Sequence, residues 1–439
     1  MDLKINEVNT SERELEATYK YDEIKKDIET EVQKQTKKLQ IPGFRKGKVP
    51  PAMIKKLYGN ALEYEASEKV ANNRFWDITK EKDLKPIGKP VLKDIKFNPG
   101  TDLHFKVVYE TYPNLEVKNY TGLNIEIPNF VIKDEEIDKE IDYIKRSNST
   151  KEKVDVVGDD KNFILDVEIT RIDENGGIFE DSKPEKLQID FSNERVQPEI
   201  IENAKGKRTG DSFDFSFNDE RTVKNAEGKE ESITETYYYR AQINEINKTI
   251  IPELNEELIK KATKDKASTE DQLRKEIKKD IQNFYDQKTD EFLNNKLVAE
   301  ILKNNEFTPP STLVNNILEE LLKQEEEQIK KEGYKKFDRN AAANRLRPNA
   351  LNEVKWYLLK SEIQKKEEIK VSDDDLKELA EKDAEKTGIG VDKLISYYKT
   401  SNFGERLIDK KLFDFLKEKN NIKKVDPEKL SKKETKETK

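Results

Sequence analysis

The chain has no cysteine and a single histidine among 439 residues. The missing thiols exclude disulfides and cysteine catalysis, and they permit a reducing compartment. With only His104 to offer an imidazole, no metal centre built on nitrogen or sulfur can form, and the scattered Asp and Glu show no ligand-like spacing. No metal and no cofactor is expected. His104 lies in the alternating run Leu103-His104-Phe105-Lys106-Val107, which predicts an outward strand position rather than catalysis. Long apolar runs are missing too. No segment approaches the ~18 uninterrupted apolar residues of a membrane span, and no apolar stretch follows Met1-Asp2-Leu3-Lys4 as a secretory signal requires. A soluble, cytoplasmic protein without a membrane partner is expected.

Hydrophobic residues make up 33% of the chain and charged ones 40%. That balance suits long solvated helices and an extended arrangement better than one large globule, and the length suggests about three domains.

Acidic residues are absent from one stretch. Between Val32 and Leu62 there is no Asp or Glu, while Lys34, Lys37, Lys38, Arg45, Lys46, Lys48, Lys55 and Lys56 all fall there; the window is strongly basic in a chain of formal net charge -8. Such a face suits a polyanionic partner. Its centre, Ile41 to Pro51, reads I-P-G-F-R-K-G-K-V-P-P. Gly43 and Gly47 bracket Phe-Arg-Lys, and Pro42, Pro50 and Pro51 stop a helix from running through, so an exposed loop is predicted. An exposed Phe44 beside Arg45 and Lys46 could enter an apolar pocket while the cations meet phosphate or carboxylate. The alternative is a basic turn whose Phe44 folds back onto its own helix. The glycines do not make a nucleotide loop, because their spacing is one residue short, Val49 stands where Ser or Thr is needed, and Pro50 blocks the following helix. Gly388-Ile389-Gly390 lacks the third glycine of a dinucleotide loop and reads as a helix end.

Along the chain, residues 1–112 read as α+β. Leu15, Ala17 and Tyr19 alternate as a strand, Ile24, Ile28, Val32 and Leu39 follow a helical stripe, Pro51 opens a second helix through Leu62, Ala66, Val70 and Ile78, and Leu103 to Tyr109 form another strand. Residues 113–150 read as a connector with a strand at Leu123, Ile125, Ile127 and a helix carrying Ile137, Ile141, Ile144. Residues 151–248 are β-rich, with alternation through Phe163 to Ile169, Leu187 to Phe191, Phe213 to Phe217 and Tyr237 to Ile243. Residues 249–425 are helical: a capping box is expected at Ser268 to Asp271, a long stripe runs from Leu273 to Leu302, Pro309-Pro310 interrupt it, and Ser372 with Asp375 cap a later helix. The polar segment 426–439 has the composition of a disordered tail.

The octapeptide Gly43-Phe44-Arg45-Lys46-Gly47-Lys48-Val49-Pro50 resembles the ribosome-docking signature of the bacterial trigger factor family, and the resemblance extends over most of the chain in domain order. It implies a multidomain α+β fold: an N-terminal α+β ribosome-binding domain, a connector packed with the C-terminal body, a β-rich FKBP-like middle domain and an all-α chaperone domain with long arms. It also implies an ATP-independent chaperone docked through Gly43, Phe44, Arg45, Lys46, Gly47, Lys48 and Pro50 on the large subunit near the tunnel exit. The partners it implies are ribosomal protein and rRNA, nascent or unfolded polypeptides, and a homodimer off the ribosome. The middle segment is similar to FKBP-type peptidyl-prolyl isomerases, with Asp166, Gly177-Ile178-Phe179-Glu180, Pro198 and the Gly206 to Gly210 spacing in the framework. Its pocket departs from that pattern: Asp166-Val167-Glu168-Ile169 replaces Asp-Phe-x-Gly, Pro198-Glu199-Ile200-Ile201 replaces Pro-Gly-Phe-Glu, and Thr222 to Gly228 holds no aromatic. Asp166 and Phe179 are the remnant that carries over, and activity as an isomerase is the alternative to a binding chaperone. A general RNA-binding protein using the basic window is a third reading.

Overall fold

The computed structural model describes residues 1–37, 51–179, 182–224, 230–333, 336–401 and 403–430. They divide into two compact units, Met1–Asn129 with Thr289–Lys439, and Phe130–Lys288.

The first unit begins with β1 (Asp2–Glu7), β2 (Glu12–Tyr19), α1 (Tyr21–Thr36), α2 (Pro51–Glu81), β3 (Ile87–Lys96) and β4 (Leu103–Glu110). The strands form an antiparallel sheet in the order β1-β2-β4-β3. Register explains its two faces. Leu15 lies opposite Val107, Ala17 opposite Phe105 and Tyr19 opposite Leu103. All six are buried under Ile24 and Ile28 of α1 and Ala66, Val70, Phe75 and Ile78 of α2. The other face is polar: Thr18 Oγ1 and His104 Nδ1 are 3.0 Å apart, and Lys106 lies 3.3 Å from Glu16. His104 is therefore in a surface network, as its alternation predicts. Pro51 does open a helix. The sequence reading passed over β3, because Gly88 and Pro90 look like breakers; β3 is an edge strand, where a missing N–H costs no ladder bond. After it comes β5 (Asn124–Pro128).

The second unit holds α3 (Asp134–Ser147), β6 (Thr150–Lys153), β7 (Phe163–Ile172), β8 (Glu185–Asp190), α4 (Pro198–Ala204), β9 (Ser212–Lys224), β10 (Glu230–Ile250), α5 (Glu256–Thr263) and the first half of α6 (Glu270–Asn304). Its sheet runs β6-β10-β7-β8, with β9 also on β10, every pair antiparallel. Phe163, Leu165, Val167, Phe213, Ala241 and Ile243 turn to one face and close on Phe191 and Ala204. Gly176, Gly206 and Gly210 take the turn positions with φ of +84°, +73° and +92°. In a separate core, Ile137 and Ile141 of α3 meet Ile259 of α5 and Leu273 and Ile277 of α6.

The rest of α6 belongs to the first unit, followed by α7 (Ser311–Lys331), α8 (Arg339–Lys366), α9 (Asp373–Thr387), α10 (Val391–Thr400), α11 (Phe403–Glu418) and β11 (Asn421–Val425). At 35 residues α6 is roughly 52 Å long. Its stripe serves two cores, because Leu293, Leu297 and Ile301 pack with Leu359, Ile363, Leu412, Leu416 and with Ile125 and Ile127 of β5. Strand β11 lies parallel to β5, so the connector region contributes its strand to the first unit and its helix α3 to the second.

Two local readings change. The start of α6 is shifted by one residue from the expected box: Thr269 Oγ1 accepts the Gln272 N–H at 3.4 Å, while the Gln272 side chain accepts the Ser268 N–H at 2.8 Å. Asp426 to Leu430, expected to be structureless, form a helical turn with Leu430 buried. The box at α9 stands as read, with the Ser372 N–H donating to Asp375 at 2.7 Å and the Asp375 N–H to Ser372 Oγ at 3.2 Å. Gly388 closes α9 with φ of 71°.

Candidate functional site

The seven loop residues Gly43, Phe44, Arg45, Lys46, Gly47, Lys48 and Pro50 lie outside the described residues. What the structure places is their frame. Val32 of α1 packs against Ile54 and Leu62 of α2, so the two helices are clamped at the end where the loop joins them. Beyond that clamp Met53, Leu57 and Tyr58 are exposed, Leu57 by 59%, on the same turns as Lys56. Lys34 is held by Glu31 at 2.6 Å, whereas no ion pair among the described residues engages Lys37 or Lys56. Exposed apolar side chains beside the exposed Lys56 make a mixed surface, able to bury area and to meet anions at once. Sequence reading took the charge and the loop but missed the apolar turn, whose signal was Met53 and Leu57 falling outside the Ile54–Tyr58–Leu62 stripe.

The second candidate is on the β-rich unit. Asp166 and Phe179 are not brought together by any contact among the described residues. Asp166 alternates with the core residues Leu165 and Val167, and it accepts the Gln188 side-chain N–H at 2.7 Å from the adjacent strand. Phe179 is 48% exposed. Around it lies a set of rings that sequence reading assigned only to strands. Phe215 and Tyr239 stack with centroids 5.6 Å apart. The Arg171 guanidinium sits 4.8 Å from the Tyr237 centroid and 5.5 Å from that of Phe179. The signal was present: Arg171 continues the parity of Phe163 to Ile169, and Tyr237 and Tyr239 continue that of Ala241. An exposed cation clamped between rings can receive a carbonyl or carboxylate of a chain laid across the sheet.

Two further grooves offer apolar surface. One, of about 500 Å³, lies between α3, α5 and α6 and is lined by Ile144, Leu273, Ile277, Ile281 and Phe284, with Glu140, Glu276 and Asp280 at its rim. The other, of about 250 Å³, runs between Tyr112, Pro113 and Leu115 and the α8 residues Tyr357 and Leu358. The described residues hold no cluster of acidic or imidazole groups that could take a metal ion.

Comparison with known proteins decides the family. Residues 1–144 match the family model described as bacterial trigger factor protein, and residues 269–418 match the one described as bacterial trigger factor protein C-terminus. The chain belongs to the bacterial trigger factor family. Trigger factors of Chlorobaculum parvum and Chlorobaculum tepidum are 27% and 28% identical over 430 residues, covering 97% of this chain and 98% of each relative. That of Prosthecochloris aestuarii is 28% identical over 415 residues, covering 94% of both. A solved structure concerned with promiscuous substrate recognition in folding and assembly by the trigger factor chaperone covers 95% of this chain and 99% of its own, with a TM-score of 0.51 at 20% identity. The multidomain α+β fold is thus the trigger factor fold. The β-rich region lies between the two family-model matches. No described helix is long and apolar enough to cross a membrane.

Proposed function

We propose that this trigger factor is an ATP-independent chaperone that docks near the tunnel exit of the large ribosomal subunit and holds nascent or unfolded polypeptides there. The observation that carries the reading is the octapeptide Gly43 to Pro50, which falls inside the N-terminal family match at the junction of two clamped helices. Phe44 and the exposed Met53 and Leu57 meet ribosomal protein, while Arg45, Lys46 and Lys48 meet rRNA phosphate or acidic side chains. The grooves along α3–α6 and α8 take apolar client segments by area burial rather than by chemistry. The protein acts in the cytoplasm and forms a homodimer when it leaves the ribosome. Isomerase chemistry is not part of the reading, since Arg171 occupies the ground between the rings.

Cosedimentation with ribosomes tests the docking assignment. The wild-type chain pellets with ribosomes and F44A/R45A/K46A stays in the supernatant; pelleting of the triple variant at the wild-type level would remove the loop from the site. Raising salt weakens the phosphate contacts and leaves an apolar component, whereas a purely electrostatic RNA binder would be released completely.

A further inference from the structure

Helix α7 starts without a cap of its own. Its N-cap position is Pro310, which has no side-chain acceptor for the first free N–H groups. The acceptor comes from the end of β4. Glu110 takes the Ser311 N–H at 2.8 Å on one carboxylate oxygen and the Thr312 N–H at 2.9 Å on the other, and the Ser311 hydroxyl donates to it as well. A negative charge there also meets the positive end of the helix dipole. Burial by itself would raise the Glu110 pKa, but the hydrogen bonds from Ser311 and Thr312 outweigh it and hold the carboxyl below its ordinary value.

Two further contacts converge on the same segment. The hydroxyls of Thr10 and Ser11, in the β1–β2 turn, donate to the Thr308 carbonyl at 2.8 and 2.7 Å, and the Thr308 N–H returns to Thr10 Oγ1 at 3.0 Å. Gly88, at the start of β3 with φ of +68°, lies so close to Thr312 that a Cβ there would fall 2.4 Å from its Oγ1. The turn, the edge strand and the end of β4 therefore all grip Thr308 to Thr312. The grip is made by hydrogen bonds on either side of the buried Pro309 and Pro310. It resembles a docking contact more than a folded core.

We propose that Glu110 is a positioning residue: by capping α7 it latches the N-terminal α+β body to the base of the α7–α8 hairpin, so that the two turn as one piece. When the N-terminal body docks on a partner, the hairpin is presented at a fixed angle. This last consequence rests on the ribosome-docking reading; the latch does not.

Because the native chain has no cysteine, label pairs can be placed cleanly. Spin labels at Lys85→Cys and Lys330→Cys, on side chains 78% and 67% exposed, report the distance between the body and the far end of α7. The full-length wild type gives one narrow distance distribution, and E110A at least doubles its width. E110A/P310S separates the two roles of the carboxylate, since Ser at the N-cap restores a cap to α7 without restoring the bridge to β4. Its distribution stays broad while thermal stability returns toward wild type. An unchanged width in E110A would overturn the latch, and so would recovery of the narrow distribution in E110A/P310S, which would make Glu110 a cap and nothing more. With ribosomes, E110A pellets as wild type does while cross-linking of nascent chains to the α7–α8 hairpin falls several-fold. Loss of pelleting in the wild type would reject the ribosome reading and leave the distance result standing.

Discussion

Helix α6 feeds two separate cores, and this can be measured with one kind of substitution made twice. Leu273 is 1% exposed and packs with Ile137, Ile141, Ile259 and Ile277; Leu297 is fully buried among Ile301, Leu359, Ile363, Leu412 and Leu416. The two positions are about 36 Å apart along the helix axis. Leu→Ala in a core costs about 2–5 kcal/mol, the spread depending on how far the surroundings collapse into the void. Leu273 lines the open groove beside α3 and α5, so part of its void joins an existing space, and L273A belongs near the low end, about 2–3 kcal/mol. Leu297 is enclosed by helices and by β5, and L297A belongs near the high end, about 4–5 kcal/mol. For a unit of about 160 residues each kcal/mol moves the transition by roughly 2–4 °C, so L273A should lower the melting of the second unit by roughly 5–10 °C. Differential scanning calorimetry resolves this. L273A shifts the transition of Phe130–Lys288 and L297A that of the other unit. If both variants moved the same transition, or if L273A cost more than L297A, the assignment of the two halves of α6 to separate cores would be wrong.

Other substitutions test single devices. Asp375 is held at a pKa of about 2, chiefly by its hydrogen bond with Lys411 and then by the backbone and hydroxyl of Ser372. A depressed carboxylate pKa means stability that is present above about 3.8 and lost as pH falls toward 2, so D375N should destabilise the α9–α11 region at pH 7 and the deficit should shrink across that window in acid titrations followed by circular dichroism. G388A forces a Cβ into the left-handed C-cap of α9 and should cost about 1 kcal/mol in urea unfolding, although nothing lies within 4 Å to clash with it. In a proline-limited refolding assay the wild-type chain should be no faster than the uncatalysed reaction, and R171A should not create activity; a wild-type acceleration would show that the ring cluster does form a prolyl pocket. F284S removes a side chain 54% exposed at the groove mouth, and it should weaken capture of an unfolded client severalfold while leaving thermal stability unchanged, which a client-binding titration and a melt together decide.

The alternation of Leu15, Ala17 and Tyr19 against Leu103, Phe105 and Val107 was enough to name the faces of the first sheet, because a strand buried on one side leaves a period-two record. The capping box at Ser372 and the stop at Gly388 were legible for the same kind of reason: local chemistry satisfies local backbone groups. The octapeptide Gly43 to Pro50 was legible as a motif, and its docking role is the proposal made above. Edge strand β3 was not, since Gly88 and Pro90 mark a turn unless the neighbouring strand is known. Nor was the split of α6, because one continuous stripe looks the same whether it faces one core or two. The Arg171 clamp needed the pairing of β10 with β7 to bring Tyr237 beside an arginine far away in sequence.

By itself, then, the sequence determined the class of the long helices and of the regularly alternating strands, the absence of thiols, and a 31-residue window without acidic residues. Tertiary structure alone decided that α7 is capped by a carboxylate about 200 residues earlier, and that Gly88 must be small because Thr312 lies against it. Those facts depend on which distant groups are left unsatisfied until the chain has folded, and no local pattern records them.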